Sequence, residues 1–444
     1  MTTSGNWKSY LDHAVISDVG MRRTNNQDSQ AVMLANDDEA YRQRGHVFVV
    51  ADGMGAHAAG ELASKMATDS IPHNYYKFSD LPPPNSLRKS IREANAVIHR
   101  RGQTNAEFHG MGTTASCLTI LPQGALIAHV GDSRIYRLRK KVLEQLTFDH
   151  SLVWEMMASG SVPTSGVANL VPKNIITRSL GPHADVNVDL EGPFPIEVGD
   201  IFLLCSDGVS AGRVDDHEIA TILASLPPKE AAQVIVDLAN LRGGPDNITV
   251  IVVRITHEKL ATLAKNNPEP LAIGEDVGEK KSKKNAAIFL WVVAAMFFIG
   301  CMVMFSVTEL PWFLNITPLV ASVMFAFFGF QQLMSDDGPK LKYLPAGRQL
   351  GKGPYRQYDC SAEKSLALDL ARKSQELHEA AKREKWDRID WTKFDAYVKE
   401  GSALLDRQDF GGAVREYGRA IRSMMGELRE RRNKAKHDDS AVEL

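Results

Sequence analysis

Five short acidic stretches punctuate the first half of the chain, around Asp28, Asp52, Asp132, Asp207 and Asp246. In the last four, the acid directly follows an apolar run or opens one, so its carboxylate can project from the edge of a sheet. A single Asp-Gly turn at a strand end is most often ordinary turn chemistry. Several such turns on separate strands, with almost no histidine or cysteine nearby, favour oxygen-rich ligation of Mg²⁺ or Mn²⁺ over zinc.

The centre of this pattern is the stretch Val47–Ser64, VFVVADGMGAHAAGELAS. Its first four residues predict a buried strand, Asp52 follows at the strand end, and the small residues after the glycines are typical of a tightly packed helix. Arg23 adds a second kind of group, because a planar guanidinium binds two phosphate oxygens at once. These residue types indicate a hard-cation site that could also bind phosphate.

Apolar runs of strand length recur through the first 256 residues and must carry these acids. They bunch in pairs, such as Ala115–Leu121 with Ala125–Val130, which favours antiparallel hairpins over parallel crossover units. We therefore expect an α+β fold with sheet layers covered by helices. The other strand-like runs are Val47–Ala51, Ile201–Cys205 and Ile248–Ile255, and the helical patterns are Glu61–Ser70, Asn85–Arg101, Leu152–Ser159 and Lys229–Leu241.

Length and composition narrow the class of protein. The 444 residues suffice for two or three domains, and the formal net charge of −2 gives no basic footprint, so no nucleic-acid partner is expected. The four cysteines are widely scattered, which argues against a disulfide framework and indicates a reducing compartment. The N-terminal residues lack the pattern of a signal peptide, so we expect residue 1 onward to stay in the cytosol.

Two long uncharged runs, Ala286–Val307 and Leu310–Met334, follow the first half of the chain. The first would extend about 33 Å as a helix, enough for the hydrocarbon core of a bilayer. They predict a transmembrane helical hairpin, with a buried helical hairpin as the alternative. Lysine and arginine on both flanks predict a multi-pass protein of the cytoplasmic (inner) membrane whose two termini face the cytoplasm.

The sequence thus divides into a catalytic-size domain (1–257), a linker that ends in lysines (258–285), the predicted hairpin (286–334, with spans 286–307 and 313–334), an irregular linker (335–360) and a helical tail (361–444). Within the tail, Tyr397–Ile421 resembles a single tetratricopeptide unit with small or apolar residues where two helices would pack. An ordinary helical hairpin is the alternative. We expect the tail to recruit a protein partner.

Seven motifs in order resemble the PPM (type 2C) family of metal-dependent protein serine/threonine phosphatases, nearest its bacterial branch. They are SDVGMRRTNNQD, VVADGMGAHAAGELAS, GMGTTAS, HVGDSRIY, NIITRSLG, LLCSDGV and GPDNITVIVV, within about residues 11–256. The resemblance implies a four-layer αββα sandwich of two antiparallel sheets flanked by helices. It also implies hydrolysis of phosphoserine and phosphothreonine in proteins, in opposition to Ser/Thr kinases, which with their substrates are the expected partners beside the membrane.

The resemblance also implies a role for each matching residue. Two Mn²⁺ or Mg²⁺ ions would share a hydroxide that attacks phosphorus directly, and two cations about 3.5–4 Å apart do lower the pKa of a shared water. Arg23 would bind the substrate phosphate, and a third, weaker metal site is expected beside the first two. The implied metal ligands are Asp52 as the bridge, the carbonyl of Gly53, Asp207, Asp246, Asp28 through waters, and Asp132 with Asp207 at the third site.

Two residues depart from the family pattern. Gln27 stands where many members carry glutamate, and Met54 stands where eukaryotic members often carry a histidine proposed as general acid. The missing charge at Gln27 leaves a second interpretation open, in which the domain is a weakly active or inactive phosphatase-like binding module on a membrane scaffold. Leu146–Thr177 resembles the flap over the active-site rim, and we expect its middle, Ser161–Pro172, to set substrate choice.

Overall fold

The computed structural model describes residues 7–55, 58–160, 175–211, 213–262, 270–274, 288–300, 302–303, 312–334, 342–345, 348–360, 364–386 and 389–442. The chain forms two compact units. The first comprises Met1–Glu269 with Ala346–Leu444, and the second comprises Pro270–Pro345.

Eleven strands and seven helices are described between residues 7 and 262. The strands are β1 (Leu11–Asp18), β2 (Asp28–Met33), β3 (His46–Met54), β4 (Gly112–Thr113), β5 (Ala115–Leu121), β6 (Gly124–Val130), β7 (Arg134–Arg139), β8 (Val142–Gln145), β9 (Asp189–Phe194), β10 (Ile201–Cys205) and β11 (Ile248–Ile255). The helices are α1 (Asp38–Arg44), α2 (Ala59–Lys77), α3 (Pro83–Thr104), α4 (Leu152–Ala158), α5 (Asp207–Ser210), α6 (Asp216–Ser225) and α7 (Pro228–Leu241).

The remaining described elements follow in chain order. In the second unit they are β12 (Ala272–Ile273), α8 (residues 288–300), α9 (Trp312–Met334) and β13 (Lys342–Tyr343). The tail of the first unit contains β14 (Arg356–Asp359), α10 (Lys364–Arg383), α11 (Trp391–Asp406) and α12 (Phe410–Val442).

Two antiparallel sheets form the centre of the first unit. One has the strand order β1-β11-β10-β7-β8-β14, and the other has the order β2-β3-β5-β6-β9 with β4 paired to β3. The period-2 alternation of β10 shows how they stack. Phe202 and Leu204 enter the core between the sheets, whereas Leu203 and Cys205 enter the core beneath the helices.

Helices cover both outer faces and complete the sandwich. Helix α2 packs on β2 and β3 and against α3, while α7 packs on β1 and β11 and against α6. The buried face of α2 carries the small residues Ala59, Gly60, Ala63 and Ala67, which allow the helix to approach β3 closely. The predicted α+β sandwich of two antiparallel sheets flanked by helices is confirmed.

The tail packs on the same unit. Strand β14 pairs antiparallel with β8, and α12 packs on α6, α7, α10 and α11. Helices α11 and α12 form a hairpin in which a methyl group on Gly401 would lie 3.1 Å from the ring of Tyr417. The residues predicted to form a tetratricopeptide-like unit therefore do form two packed helices, and their assignment to that repeat family stays a prediction.

The second unit corrects the membrane prediction. Among the residues that the structure describes, no helix is both long enough and apolar enough to cross a membrane. The predicted transmembrane hairpin at 286–307 and 313–334 is therefore wrong, as is the predicted multi-pass location in the inner membrane.

A buried histidine in β3 gives the fold a predictable response to acid. His46 is fully buried, and its Nδ1 accepts a hydrogen bond from the amide of Ala35 at 3.0 Å. Burial lowers its pKa to about 4 from the ordinary value of 6.5. The unfolded chain therefore binds a proton that the folded chain excludes between these two pKa values, so acid favours unfolding there.

We expect the free energy of unfolding to fall by up to about 3 kcal/mol from His46 alone as the pH drops from 6.5 to 4. Above pH 6.5 this contribution is constant. Urea unfolding followed by circular dichroism at several pH values measures it. His46→Asn keeps an acceptor for Ala35 but takes up no proton, so its stability curve should be flatter. Parallel curves for the two proteins would contradict the prediction.

Candidate active site

The first two acids lie directly opposite each other on neighbouring strands. Asp28 opens β2 and pairs in register with Asp52 near the end of β3. The backbone of Asp52 is held on its other side by Thr114, which accepts a 2.9 Å hydrogen bond from its amide and donates a 2.8 Å amide bond to its carbonyl. Asp28 is fixed by the hydroxyl of Ser206, which donates to its Oδ2 at 2.7 Å.

Gly53 occupies a position where only glycine fits. A Cβ there would lie 2.1 Å from the carbonyl oxygen of Gly60 and 2.5 Å from that of Gln27. Its amide donates to Gln27 at 3.1 Å. A Cβ on Gly60 would in turn lie 2.9 Å from the carbonyl oxygen of Gly53. Paired glycines therefore keep that oxygen uncovered, as a backbone ligand requires.

The third and fourth acids come from two loops in close contact. Asp207 follows β10 at the start of α5, and a Cβ on the next residue, Gly208, would lie 2.0 Å from the carbonyl oxygen of Asn247. Asp246 accepts a 2.9 Å bond from the amide of Asn247. The Asn247 side chain also accepts from the amide of Gln27 at 2.8 Å. It thereby ties the Asp246 loop to the segment that precedes Asp28.

Burial and mutual repulsion shift the pKa values of these acids upward. Burial, followed by the charges of Asp28 and Asp207, raises the pKa of Asp52 well above its ordinary value. The pKa of Asp28 rises to about 7, chiefly through burial and against the hydrogen bond from Ser206. Burial and the charge of Asp246 raise the pKa of Asp207. Since each carboxylate destabilises the others, the cluster favours bound positive charge.

Asp132 joins the same cluster from the loop between β6 and β7. Burial and the charge of Asp207 raise its pKa to about 8, against the charge of Arg134. The charge of Asp132 in turn contributes to the raised pKa of Asp52. The structure therefore brings together all five acids singled out in the sequence.

The donor atoms fit divalent cations. Within the cluster, three buried carboxylate oxygens have no hydrogen-bond partner: Oδ1 of Asp28, of Asp132 and of Asp207. Such orphaned anionic oxygens are costly unless a cation neutralises them. Within the described residues, no three Asp, Glu, His or Cys side chains already form a complete metal-binding group. The fit therefore rests on these oxygens together with the backbone oxygen of Gly53.

Arg23 lies at the entrance to the cluster. Its Nη2 donates to Oδ2 of Asp246 at 2.9 Å, and half of its side chain remains exposed. The hydrogen bond with Asp246 raises its pKa, with further contributions from Asp52 and Asp207. Because one edge of this guanidinium is bound to Asp246 and the rest is exposed to solvent, it can bind an incoming anion.

Some supporting residues were missed in the sequence. Ser206 bonds Asp28 from 178 positions away, and Thr114 fixes Asp52 from 62 positions away. The only signal in the sequence is that both residues lie inside motifs, Ser206 in LLCSDGV and Thr114 in GMGTTAS. Arg134 lies two residues after Asp132. Its guanidinium donates to both carboxylate oxygens of Asp149, including a 2.7 Å bond from Nη2.

The flap is described at its two ends. Helix α4 begins after Ser151, which bridges to Ile176, and the amide of Thr177 donates to the carbonyl of His150 at 2.9 Å. The predicted specificity segment Ser161–Pro172 lies outside the described residues.

Comparison with known proteins identifies the family. The family model described as "Protein phosphatase 2C" matches residues 14–153. The serine/threonine phosphatase stp of Listeria monocytogenes is 37% identical over 242 residues, which cover 53% of this chain and 93% of the relative. Protein phosphatase PhpP of Streptococcus pneumoniae is 36% identical over 253 residues, 56% of this chain and 99% of the relative.

Two similar solved structures cover the same half of the chain. The Mycobacterium tuberculosis serine/threonine phosphatase PstP/Ppp is 33% identical with a TM-score of 0.49, over 56% of this chain and 99% of that one. The catalytic domain of PstP in complex with two manganese ions is 31% identical with a TM-score of 0.46, over 56% and 99%. The family model and the sequence relatives show that this chain belongs to the protein phosphatase 2C (PPM) family of metal-dependent protein serine/threonine phosphatases.

Proposed function

We propose that the acid cluster is a two-metal phosphatase centre for Mn²⁺ or Mg²⁺ that removes phosphate from serine and threonine side chains of proteins. The main observation behind this proposal is that Asp28, Asp132 and Asp207 each have a buried carboxylate oxygen without a hydrogen-bond partner. Hydrolysis at such a centre would oppose Ser/Thr kinases, whose substrates are the proposed partners.

Each acid has a distinct place in this proposal. Asp52 would hold both cations, because the charges of the other four acids all act on it. Asp207 and Asp246 would hold the first cation together with Asp52, and the carbonyl of Gly53 would contribute to the second site. The remaining two act at the periphery: Asp28 through waters, and Asp132 with Asp207 at a third, weaker site.

The residues around the centre orient the substrate and its nucleophile. Two bound divalent cations lower the pKa of a water shared between them, so that a nucleophile exists at neutral pH. The exposed edge of Arg23 binds two oxygens of the substrate phosphate, while its bond to Asp246 fixes its position. Ser206 holds the carboxylate of Asp28 against rotation through its 2.7 Å hydrogen bond.

Metal removal tests this proposal. The full chain is treated with EDTA and assayed on p-nitrophenyl phosphate and on a phosphothreonine peptide, before and after excess Mn²⁺ or Mg²⁺ is added. Because bound cations supply several kcal/mol of transition-state stabilisation, we expect chelation to lower the rate at least about 100-fold on both substrates. Added Mn²⁺ should restore it. Turnover that survives EDTA unchanged would contradict the proposed centre.

A further inference from the structure

A short segment of the tail reaches the base of the flap. We call residues 350–359 the strap. Within it, the guanidinium carbon of Arg356 lies 4.1 Å from the centre of the Trp154 ring, which belongs to the flap helix α4. The Trp154 side chain is largely buried, with 9% exposed. A cation this close to an indole ring is attracted by its π electrons and restricts the ring's orientation.

The strap itself is firmly held. Its amide at Gly353 donates to Oε2 of Glu191 at 2.9 Å, and the Tyr355 hydroxyl donates to Oε1 of the same carboxylate at 2.5 Å. The amide of Tyr355 donates to the carbonyl of Gln145 at 2.8 Å, which begins the pairing of β14 with β8. Arg356 therefore projects from a backbone that is fixed to the sheet. Its contact with Trp154 thus connects the flap helix to the sheet.

The same tryptophan ring also lies against a second cation, Arg134. The guanidinium carbon of Arg134 lies 5.6 Å from the centre of the Trp154 ring, and Arg134 binds both carboxylate oxygens of Asp149. Burial raises the pKa of Asp149, and the charges of Arg134 and Arg356 both oppose this rise. Arg134 also stands two residues after Asp132. Trp154 thus links the strap to the loop that carries one of the proposed metal ligands.

We propose that the strap positions the flap, with Arg356 as a positioning residue that holds α4 in the orientation needed to bind phosphorylated protein segments. This inference rests on the proposed function of the acid cluster. A peptide substrate extends beyond its phosphate and meets the active-site rim, whereas p-nitrophenyl phosphate is little larger than the group transferred. A flap effect should therefore separate the two substrates.

The test compares full-length variants of neighbouring strap residues. Arg356→Gln keeps the length of the side chain and removes its charge, and Arg356→Lys keeps a cation. Gln357→Ala is the matched control, because Gln357 is exposed and its amide bonds Glu144 at 3.1 Å. The measurements are kcat and KM on a phosphothreonine peptide and on p-nitrophenyl phosphate with Mn²⁺, and hydrogen exchange of the α4 amides.

For Arg356→Gln we expect KM for the peptide to rise about threefold to tenfold, with kcat and the p-nitrophenyl phosphate constants within about twofold of the parent. Exchange of the α4 amides should accelerate by a similar factor, because opening of the helix becomes easier. For Arg356→Lys, the peptide KM and the α4 exchange rates should lie between those of the parent and those of Arg356→Gln. For Gln357→Ala, both quantities should match those of the parent.

Equal losses on both substrates, or unchanged α4 exchange in Arg356→Gln, would overturn the positioning role. If Arg356→Gln is too unstable to assay, Arg356→Lys carries the same comparison. A parent protein without turnover on either substrate would instead overturn the proposed phosphatase centre. The exchange of α4 would still decide whether Arg356 holds the flap, so the two failures are distinguishable.

Discussion

Asp207→Asn is expected to lower metal-dependent turnover at least about 10³-fold while the chain still folds. Asparagine has nearly the shape of aspartate, but it removes one charge and replaces one anionic oxygen by an amide. The charge of Asp246 raises the pKa of Asp207, and the charge of Asp207 raises the pKa values of Asp52 and Asp132. Because Asp207 interacts with several acids of the cluster, loss of its charge should weaken the binding of both cations.

A thermal melt separates lost metal binding from lost folding. For the parent, saturating Mn²⁺ should raise the melting temperature, because a ligand at 100 times its Kd stabilises the folded state by about 2.7 kcal/mol. In Asp207→Asn this rise should shrink. Without metal, the variant should melt no lower than the parent, because burial and Asp246 disfavour the charged form of Asp207.

The control is an aspartate outside the cluster. Asp69 on α2 pairs with Lys65 at 2.8 Å, and 60% of its side chain is exposed. Asp69→Asn should therefore retain parental turnover and the parental response to Mn²⁺. Wild-type rates in Asp207→Asn would refute the two-metal centre, and equal losses in both variants would show that the assay reports something other than metal binding.

Arg429→Ala is expected to lower the free energy of unfolding by about 3–5 kcal/mol, because it leaves a buried carboxylate without its cation. Asp237 on α7 is fully buried, and Arg429 of α12 forms a salt bridge with its Oδ1. Burial raises the pKa of Asp237 to about 6 even with Arg429 present. Its other side-chain hydrogen bond comes from Gln233, a neutral group that cannot replace the charge.

The pH dependence of this loss has a defined sign. Without Arg429 the folded-state pKa of Asp237 should rise above about 6, while that of the unfolded chain stays near 3.8. The destabilisation is then greatest above the folded-state pKa, where the carboxylate must be charged in the interior. It should decline as the pH falls from the variant's folded-state pKa to about 6, because only the variant takes up the proton in that range. Below about 6 both folded proteins are protonated, so the loss should stay constant. Urea unfolding at pH values between about 4.5 and 8 measures the trend.

A second arginine of the same helix serves as control. The Nη1 of Arg422 lies 4.0 Å from Oε1 of Glu230, and both side chains are partly exposed. Removing a pair of this kind costs about 0–1 kcal/mol. If Arg422→Ala and Arg429→Ala were equally stable at every pH, the buried pair would have no special part in docking the tail.

The sandwich could be predicted because its strands are nearly pure apolar runs. Val47–Ala51 and Ile248–Ile255 each predicted a strand from residue type alone, and both lie within central strands, β3 and β11. The clustering of the acids could be predicted for a related reason, because a carboxylate at the end of a strand is fixed at the edge of the sheet. The structure brings together Asp28, Asp52 and the other three, as the motifs indicated.

The surroundings of the site could not be predicted because they depend on partners far apart in the chain. Nothing near Ser206 indicates that its hydroxyl meets Asp28, and nothing near Arg356 indicates that it reaches Trp154. The region of β14 reads RQYD, which is polar and lies in a stretch predicted to be irregular. It becomes a strand because β8 offers it backbone partners.

The uncharged runs near residues 286–334 show a different limit. Length without charge predicted membrane spans, but the described helices do not meet the requirement for crossing a bilayer. Absence of charge is a property of the sequence alone, whereas the requirement for a span applies to a helix of the structure.

The pairing of β14 with β8 has a consequence for self-association. Without β14, strand β8 would be the outermost strand of its sheet, and the backbone groups of Val142–Gln145 would be open to strands of other molecules. Strand β14 is only four residues long and presents Arg356, Gln357 and Asp359, a short polar border that discourages further addition. The strap therefore also protects β8 from pairing with strands of other molecules. Chains shortened before residue 356 should aggregate more readily than the full chain.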